Sequence, residues 1–328
     1  MAVLQREDMP RLIPTDELRL LSKVSKFYYD EGMTQDEIVE KLLLSRSKIS
    51  RLLKQAREAG IVKITVIPPP GVFPDLEMQL ESRFHLRDVI VVEARQPDSQ
   101  AAVARELGIA AGSYLHRTVR ERDVIGITWG STLHLMVDTM QPSSMPTVQV
   151  IQILGGLGRP ESEVHATDLC RRLSRLLNCK LTLLPAPGIV DNQQVKEVFL
   201  SDSHVQGAMS FFRKLTIAIV GIGSPTPDSA VMRDGSIINK VELNDLLKRG
   251  AVGDIALRFF DSFGQPVLSD VNDRVIGITM EQLSKVERVV GVAGGPHKFT
   301  VIQAALRGRL INTLITDHAT ARRLLESD

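Results

Sequence analysis

The strongest constraint on the fold of this chain is a series of short, β-branched apolar runs separated by helical stretches. The runs are DVIVVEA (88–94), DVIGITWG (123–130), TVQVIQILGG (147–156), KLTLLPAP (180–187), LTIAIVGIG (215–223), VIGIT (275–279), RVVGVAGG (288–295) and INTLITD (311–317). Near-continuous apolar strands alternating with helices predict a parallel sheet covered on both faces, a doubly wound α/β domain. In such a domain ligands bind beyond the carboxyl ends of the strands, where the strand-to-helix loops gather. Gly130, Ser131 and Thr132 follow one strand and open a helix. The glycine permits close approach, and two hydroxyls with helix N-terminal amides suit a phosphate. Gly155 and Gly156, then Gly221, Gly223 and Ser224, then Gly294 and Gly295, close other strands in the same way. Lys298 falls in the first turn of a later helix, where a bound anion would offset its conflict with the helix dipole. Asp254, in GAVGDI, is the candidate acceptor for ligand hydroxyls. Neither a G-x-G-x-x-G fingerprint nor a Walker loop is present, and GGLGR at 155–159 fits neither, so NAD and ATP are not expected.

The amino-terminal region has a different character. Leu18, Leu20, Leu21, Val24, Phe27 and Tyr28 recur at helical intervals over 16–30, and Gly32 ends that helix. Thr34 followed by Glu37 predicts a capping box for a second helix, and Ser45 caps a third whose apolar positions are Ile49, Leu52, Leu53 and Ala56. Between Ser45 and Arg57 the chain carries five bases (Arg46, Lys48, Arg51, Lys54, Arg57) and no acid, although its formal net charge is only +1. Two short helices joined by about four residues, the second presenting bases outward, match the helix-turn-helix arrangement. Arg46, Ser47, Ser50 and Arg51 are then the candidate base readers, and Lys48, Lys54 and Arg57 the candidate phosphate contacts. Thr34, Gln35 and Ser45, at the two helix starts, complete the candidate DNA-facing set. A solvated surface helix would usually interleave acids with its bases.

The turn reads Leu42-Leu43-Leu44, with no glycine, which predicts a slightly opened turn. IVKITVI (61–67) alternates enough to be a strand, either the wing of a winged helix or the start of a linker. PPPG at 68–71 then breaks regular structure. The division predicted is a helix-turn-helix domain over 1–67, a linker and connecting helix over 68–87, and an effector and oligomerisation domain over 88–328.

The 328 residues allow two domains, each with its own core. No stretch approaches the roughly 18 apolar residues that cross a bilayer, and the first twenty residues lack the pattern of a secretory signal, so a cytoplasmic protein is expected. Cys170 and Cys179 are far from any histidine pair, so a metal site is not expected and both should be plain buried thiols.

The motifs YYDEGMTQDEIVEKLLLSRSKISRLLKQAREAGIV, IGITWGST, AIVGIGSP, GAVGDIALRFFD and GGPHKFTVIQAALRGRLINTLITDHATARRLL, in this order and spacing, resemble the SorC/DeoR-type family of bacterial sugar-responsive transcriptional regulators. The resemblance implies a winged-helix-like DNA-binding head and a Rossmann-like effector domain similar in fold to sugar-phosphate isomerases and deaminases. It also implies a dimer or tetramer, and a phosphorylated sugar or polyol as effector. Gly130, Ser131 and Thr132 match the family's phosphate-binding loop, Lys298 its basic position, and the strand-end glycines the pocket rim. The alternative is a sugar-phosphate isomerase or deaminase, because fold alone does not decide function. The seven histidines, however, form no recurring motif with a partner, and no catalytic residue is assigned.

Overall fold

The computed structural model describes residues 14–157, 166–226 and 237–327. The amino-terminal residues 1–13 and part of the GGLGR stretch lie outside them. The chain divides into two compact units, residues 1–67 and 68–328.

In the first unit, α1 (Thr15–Ser25) runs into a wider π-helical turn (Lys26–Asp30) and is followed by α2 (Gln35–Leu42) and α3 (Arg46–Glu58). Both caps form as their sequences dictate. Thr34 and Glu37 make the reciprocal capping box, and Ser45 Oγ accepts from the Lys48 amide at 3.3 Å. Leu21, Val24, Phe27, Ile38, Ile49, Leu52, Leu53 and Ala56 make a small core. The turn between α2 and α3 is not opened, as its lack of glycine had predicted. Leu43 instead takes the left-handed conformation (φ 56°, ψ 38°) with its side chain 90% exposed, so a leucine bears the strain that glycine would relieve. Residues 61–67 do not form the anticipated strand, and no wing is present among the described residues.

The second unit opens with α4 (Pro74–Phe84), β1 (Asp88–Val92), α5 (Gln100–Thr118), β2 (Val124–Ile127), α6 (Ser131–Thr139), β3 (Gln149–Gln152), α7 (Ala166–Leu176) and β4 (Lys180–Thr182). It continues through α8 (Gln193–Ser201), α9 (Ser203–Met209), β5 (Ile217–Gly221), α10 (Lys240–Lys248), β6 (Gly253–Ile255), β7 (Arg258–Phe260), α11 (Asp270–Arg274) and α12 (Met280–Ser284). β8 (Arg288–Val292), α13 (Phe299–Arg307), β9 (Thr313–Asp317) and α14 (His318–Glu326) complete it. Seven parallel strands form one sheet in the order β1-β9-β8-β5-β2-β3-β4. Alternate residues along each strand feed two cores: Ala218 and Val220 one, Ile217 and Ile219 the other. The expected run at 275–279 is not part of this sheet. Gly277 and Val275 instead make isolated bridges to Leu154 and Ile189. The antiparallel hairpin β6–β7 has no strong apolar run to announce it and was missed.

Edge strand β1 is covered by α4. Glu81 accepts from the Val89 amide at 3.1 Å and Glu77 from the Val91 amide at 2.9 Å, so carboxylates satisfy the donors that an edge leaves open. The connecting helix is thereby tied to the sheet. Among the described residues no helix is long and apolar enough to cross a membrane.

Replacing Leu43 with glycine removes the left-handed strain and loses no packing. The variant should stabilise the α2–α3 pair by about 0.5–1 kcal/mol, seen as amide exchange about two- to fivefold slower there in the full chain.

Candidate functional site

The loops after β2, β5 and β8 meet over a cavity of about 1010 Å³. Its position follows from the connections: β2 leads on to β3 and β4 toward one edge of the sheet, while β5 leads to β8 and β9 toward the other. Between β2 and β5 the loops therefore part and leave a crevice at the strand ends.

Gly130 sits at one wall with φ 139° and ψ 151°, a conformation essentially confined to glycine. The chain can thus turn straight from β2 into α6. The first amide of α6 to find a backbone acceptor is that of His134, which donates to Gly130 O at 3.0 Å. The amides of Ser131, Thr132 and Leu133 have no hydrogen-bond acceptor among the described residues, as is usual for helix N-terminal donors, and these residues line the cavity.

On the opposite wall, Gly223 and Asp254 exchange backbone hydrogen bonds at 2.8 and 3.1 Å. A Cβ on Gly223 would lie 1.9 Å from Asp254 Oδ1, so this approach tolerates only glycine. Asp254 is buried. Its Oδ2 accepts from the Leu257 amide at 3.2 Å, whereas Oδ1 has no partner. Burial pushes its carboxyl up to about 6, against the pull of the Lys298 ammonium. Burial likewise lowers Lys298, which Asp254 opposes, and Lys298 Nζ donates to Ile222 O at 2.8 Å. Lys298 is the residue immediately preceding α13, one position earlier than its sequence placement.

Two other buried acceptors in the lining, Ser224 Oγ and Gln100 Oε1, also lack partners. Gln100 holds its place by donating from Nε2 to Gly294 O at 2.9 Å. The cavity wall thus has free α6 amides on one side, and on the other Lys298 beside Asp254, with buried oxygens that lack hydrogen-bond partners just behind the lining. Among the described residues no group of His, Cys, Asp and Glu could hold a metal ion. Cys170 and Cys179 are free thiols, pushed by burial to about 12 and about 11.

Of the residues singled out from sequence, Gly130, Ser131, Thr132, Gly221, Gly223, Ser224, Asp254 and Lys298 all line this cavity. Gly155 and Gly156 do not, which corrects the expectation of a continuous glycine rim. Their amides donate to Ile276 O and Ala186 O, and a Cβ on Gly155 would lie 2.5 Å from the Pro187 backbone. They are where two chain segments cross closely. Gln100, Thr128, Trp129, Arg105 and Arg323 were not foreseen as lining residues. Only Thr128 and Trp129 carried a signal, standing directly before Gly130.

In the first unit, Arg46, Ser47, Lys48, Ser50, Arg51, Lys54 and Arg57 are all exposed on α3, opposite the buried Ile49, Leu52, Leu53 and Ala56. Arg46 pairs with Asp36 at 3.4 Å and Lys54 with Glu58 at 3.7 Å, exposed pairs of little intrinsic strength. Thr34 is exposed and Gln35 half-buried at the start of α2.

A doubly wound α/β unit with a polar crevice at its switch point, preceded by a three-helix unit with one basic face, is the architecture of a ligand-binding regulator. Residues 72–326 match the Sugar-bind model of sugar-binding domains. The deoxyribonucleoside regulator of Bacillus subtilis is 33% identical over 94% of this chain and 98% of its own. The sorbitol operon regulator of Klebsiella pneumoniae is 32% identical over 95% and 99%. The crystal structure of that full-length regulator, SorC, superposes with a TM-score of 0.72, covering 95% of this chain and all of SorC. A DeoR-family regulator from Listeria monocytogenes superposes with 0.70 at 26% identity, over 76% of this chain and 98% of its own. The chain belongs to the SorC/DeoR family of transcriptional regulators. These relatives are named as regulators and not as enzymes, so the isomerase or deaminase reading is not favoured.

Asp254 in the fold keeps its proton up to about pH 6, whereas an unfolded chain releases it near the ordinary 3.8. Between these values the folded chain binds the extra proton, so stability falls as pH rises through the window and stays lower above it. Asp254→Asn should flatten that slope in ligand-free protein. It should also raise stability at pH 7.5 by up to about 3 kcal/mol, read from urea unfolding across pH 4–8.

Proposed function

We propose that this chain is a DNA-binding transcriptional regulator of carbohydrate metabolism, acting in the cytoplasm as a homo-oligomer, whose operator binding is set by a phosphorylated sugar or polyol in the cavity of the α/β domain. The observation that carries the effector reading is the pairing of free α6 amides with three unpartnered buried acceptors, Asp254 Oδ1, Ser224 Oγ and Gln100 Oε1. An anionic group fits the amides of Ser131 and Thr132, and Lys298 adds charge. Ligand hydroxyls would donate to the oxygens that now have no hydrogen-bond partner.

The head reading rests on α3. As the recognition helix of a helix-turn-helix, its Arg46, Ser47, Ser50 and Arg51 face base edges, while Lys48, Lys54 and Arg57 reach phosphates with support from Thr34, Gln35 and Ser45 at the helix starts. A ligand changes DNA affinity only by binding one arrangement of the chain better than another. A continuous set of contacts runs from the loop after β8 to the start of α4. Gly295 donates its amide to Asp317 at 2.7 Å, and Asp317 caps α14. The next residue, His318, stacks on Phe73 with ring centroids 5.4 Å apart, and Phe73 immediately precedes α4.

Thermal shift against sugar phosphates, polyol phosphates and their unphosphorylated forms tests the effector reading, since a ligand at a hundredfold its Kd stabilises by about 2.7 kcal/mol. A phosphate-dependent shift that Lys298→Ala abolishes is expected; shifts from unphosphorylated compounds alone would refute the phosphate loop. On DNA selected from a random library, Arg46→Ala and Arg51→Ala should each cost about 1–3 kcal/mol and relax base preference. Lys54→Ala should weaken all sequences alike and lower the salt slope by about one. In Phe73→Ala the effector should still bind with unchanged affinity but no longer alter DNA affinity. Retained coupling would remove the stack from the route.

A further inference from the structure

The segment at 61–67 has the sequence of a strand, and no strand pairs with it among the described residues. Lys63, Ile64, Thr65, Val66 and Ile67 make no backbone hydrogen bond among the described residues. Ile64, Val66 and Ile67 are 58%, 81% and 85% exposed. β-branched residues at this density favour a pleated, half-buried surface, and unpaired backbone donors and acceptors beside them are a template for another strand. A wing cannot supply that strand, because a wing is a hairpin and the chain here has a single extended arm running into Pro68.

We propose that residues 61–67 pair antiparallel with the same segment of a second copy of this chain, forming a two-stranded ribbon about a two-fold axis at Ile64. The register follows from the residues. With the axis at Ile64, Val62 lies opposite Val66 and Ile64 opposite itself, so one face of the ribbon is wholly apolar. The ribbon would start directly from the core of the three-helix unit, against which Ile61 and Val62 both pack. On the other face Lys63 meets Thr65 and Ile61 meets Ile67. An axis at Lys63 would set two ammonium groups opposite each other. An axis between Ile64 and Thr65 would mix the apolar and polar faces, and one at Thr65 would bring Pro68, which has no amide to donate, into the ladder. An isologous pairing of this kind is how two-fold assemblies are built. It also adds apolar burial to a unit whose core, among the described residues, is eight side chains. The inference does not depend on whether the head binds DNA.

Disulfide trapping in the full-length protein tests it. Directly opposed antiparallel residues have Cα atoms about 4.5–5.5 Å apart, within disulfide reach, whereas residues offset by two positions along the strands lie beyond about 7 Å. Under a mild glutathione redox buffer, Ile64→Cys should therefore give a predominant covalent dimer on a non-reducing gel. Lys63→Cys and Thr65→Cys alone should stay at the wild-type level set by the native thiols, Cys170 and Cys179, while the double variant Lys63→Cys/Thr65→Cys should form the dimer. All three positions are exposed, so the helical circular dichroism should not change. Equal trapping at all three single positions would mean an unpaired arm that collides at random, and the absence of dimer from Ile64→Cys in a normally folded protein would mean a different occupant, such as a DNA groove. Either result overturns the ribbon.

Discussion

The second unit depends on a parallel sheet that is buried on both faces. β8 and β9 expose no residue along their whole length, so nothing polar can be held at the middle of the sheet without cost. Polar chemistry is therefore displaced to the strand ends, and the connections decide where. β2 and β5 are neighbours that send the chain in opposite directions, and the loop carrying Gly130 and the loop carrying Gly223 face each other across the gap. Both glycines are fixed by this arrangement. One supplies a backbone conformation that side chains oppose, and the other makes room for a carboxyl oxygen where a Cβ would clash.

Most of the sheet was legible in the sequence because its signal is local. Seven of the eight β-branched runs became strands, each long and apolar enough to read without its neighbours. The eighth, 275–279, is equally apolar, but its partners are single residues such as Leu154 and Ile189, and pairing of that kind depends on tertiary placement. The same limit separates the glycines. Gly155 and Gly156 look like Gly221 and Gly223 in sequence, yet one pair makes room for a crossing segment and the other lines a cavity. Gln100 is the clearest case of a residue with no sequence signal. It reaches the cavity only because β1 pairs with β9 at the far edge and α5 returns across the face toward the Gly294 loop.

In the first unit the caps were legible because a capping box is complete within four residues, and the apolar stripe of α3 needs only its helical period. Leu43 was not, since leucine rarely adopts a left-handed conformation, and here it joins two helices whose Ile38, Ile49 and Leu52 belong to one core, a tertiary constraint that local sequence does not carry. The segment after α3 failed as a strand for the opposite reason. Its propensity is strong, but a strand is defined by a partner, and the described residues offer none.

The state of Asp254 and Lys298 bears on what the ligand-free cavity costs. Burial drives both groups toward their neutral forms, and neither has a full set of partners: Asp254 has one free oxygen, and Lys298 Nζ has a single carbonyl acceptor. A buried polar group without partners is destabilising, so these side chains favour any group that supplies the missing hydrogen bonds. A group that brought hydroxyl donors to Asp254 and an acceptor to Lys298 would favour their charged forms against the burial that opposes them. Gly223 binds the Asp254 backbone, Ile222 accepts from Lys298, and α13 begins directly after Lys298, so the groups that gain partners lie on the loops that follow β5 and β8. Those loops belong to the half of the sheet that leads to β9, to Asp317 and to the stacked ring of Phe73. On the proposed reading, a ligand held by these groups would act on the side of the sheet where α4 is anchored, with the β3–β4 half on the other side of the crevice.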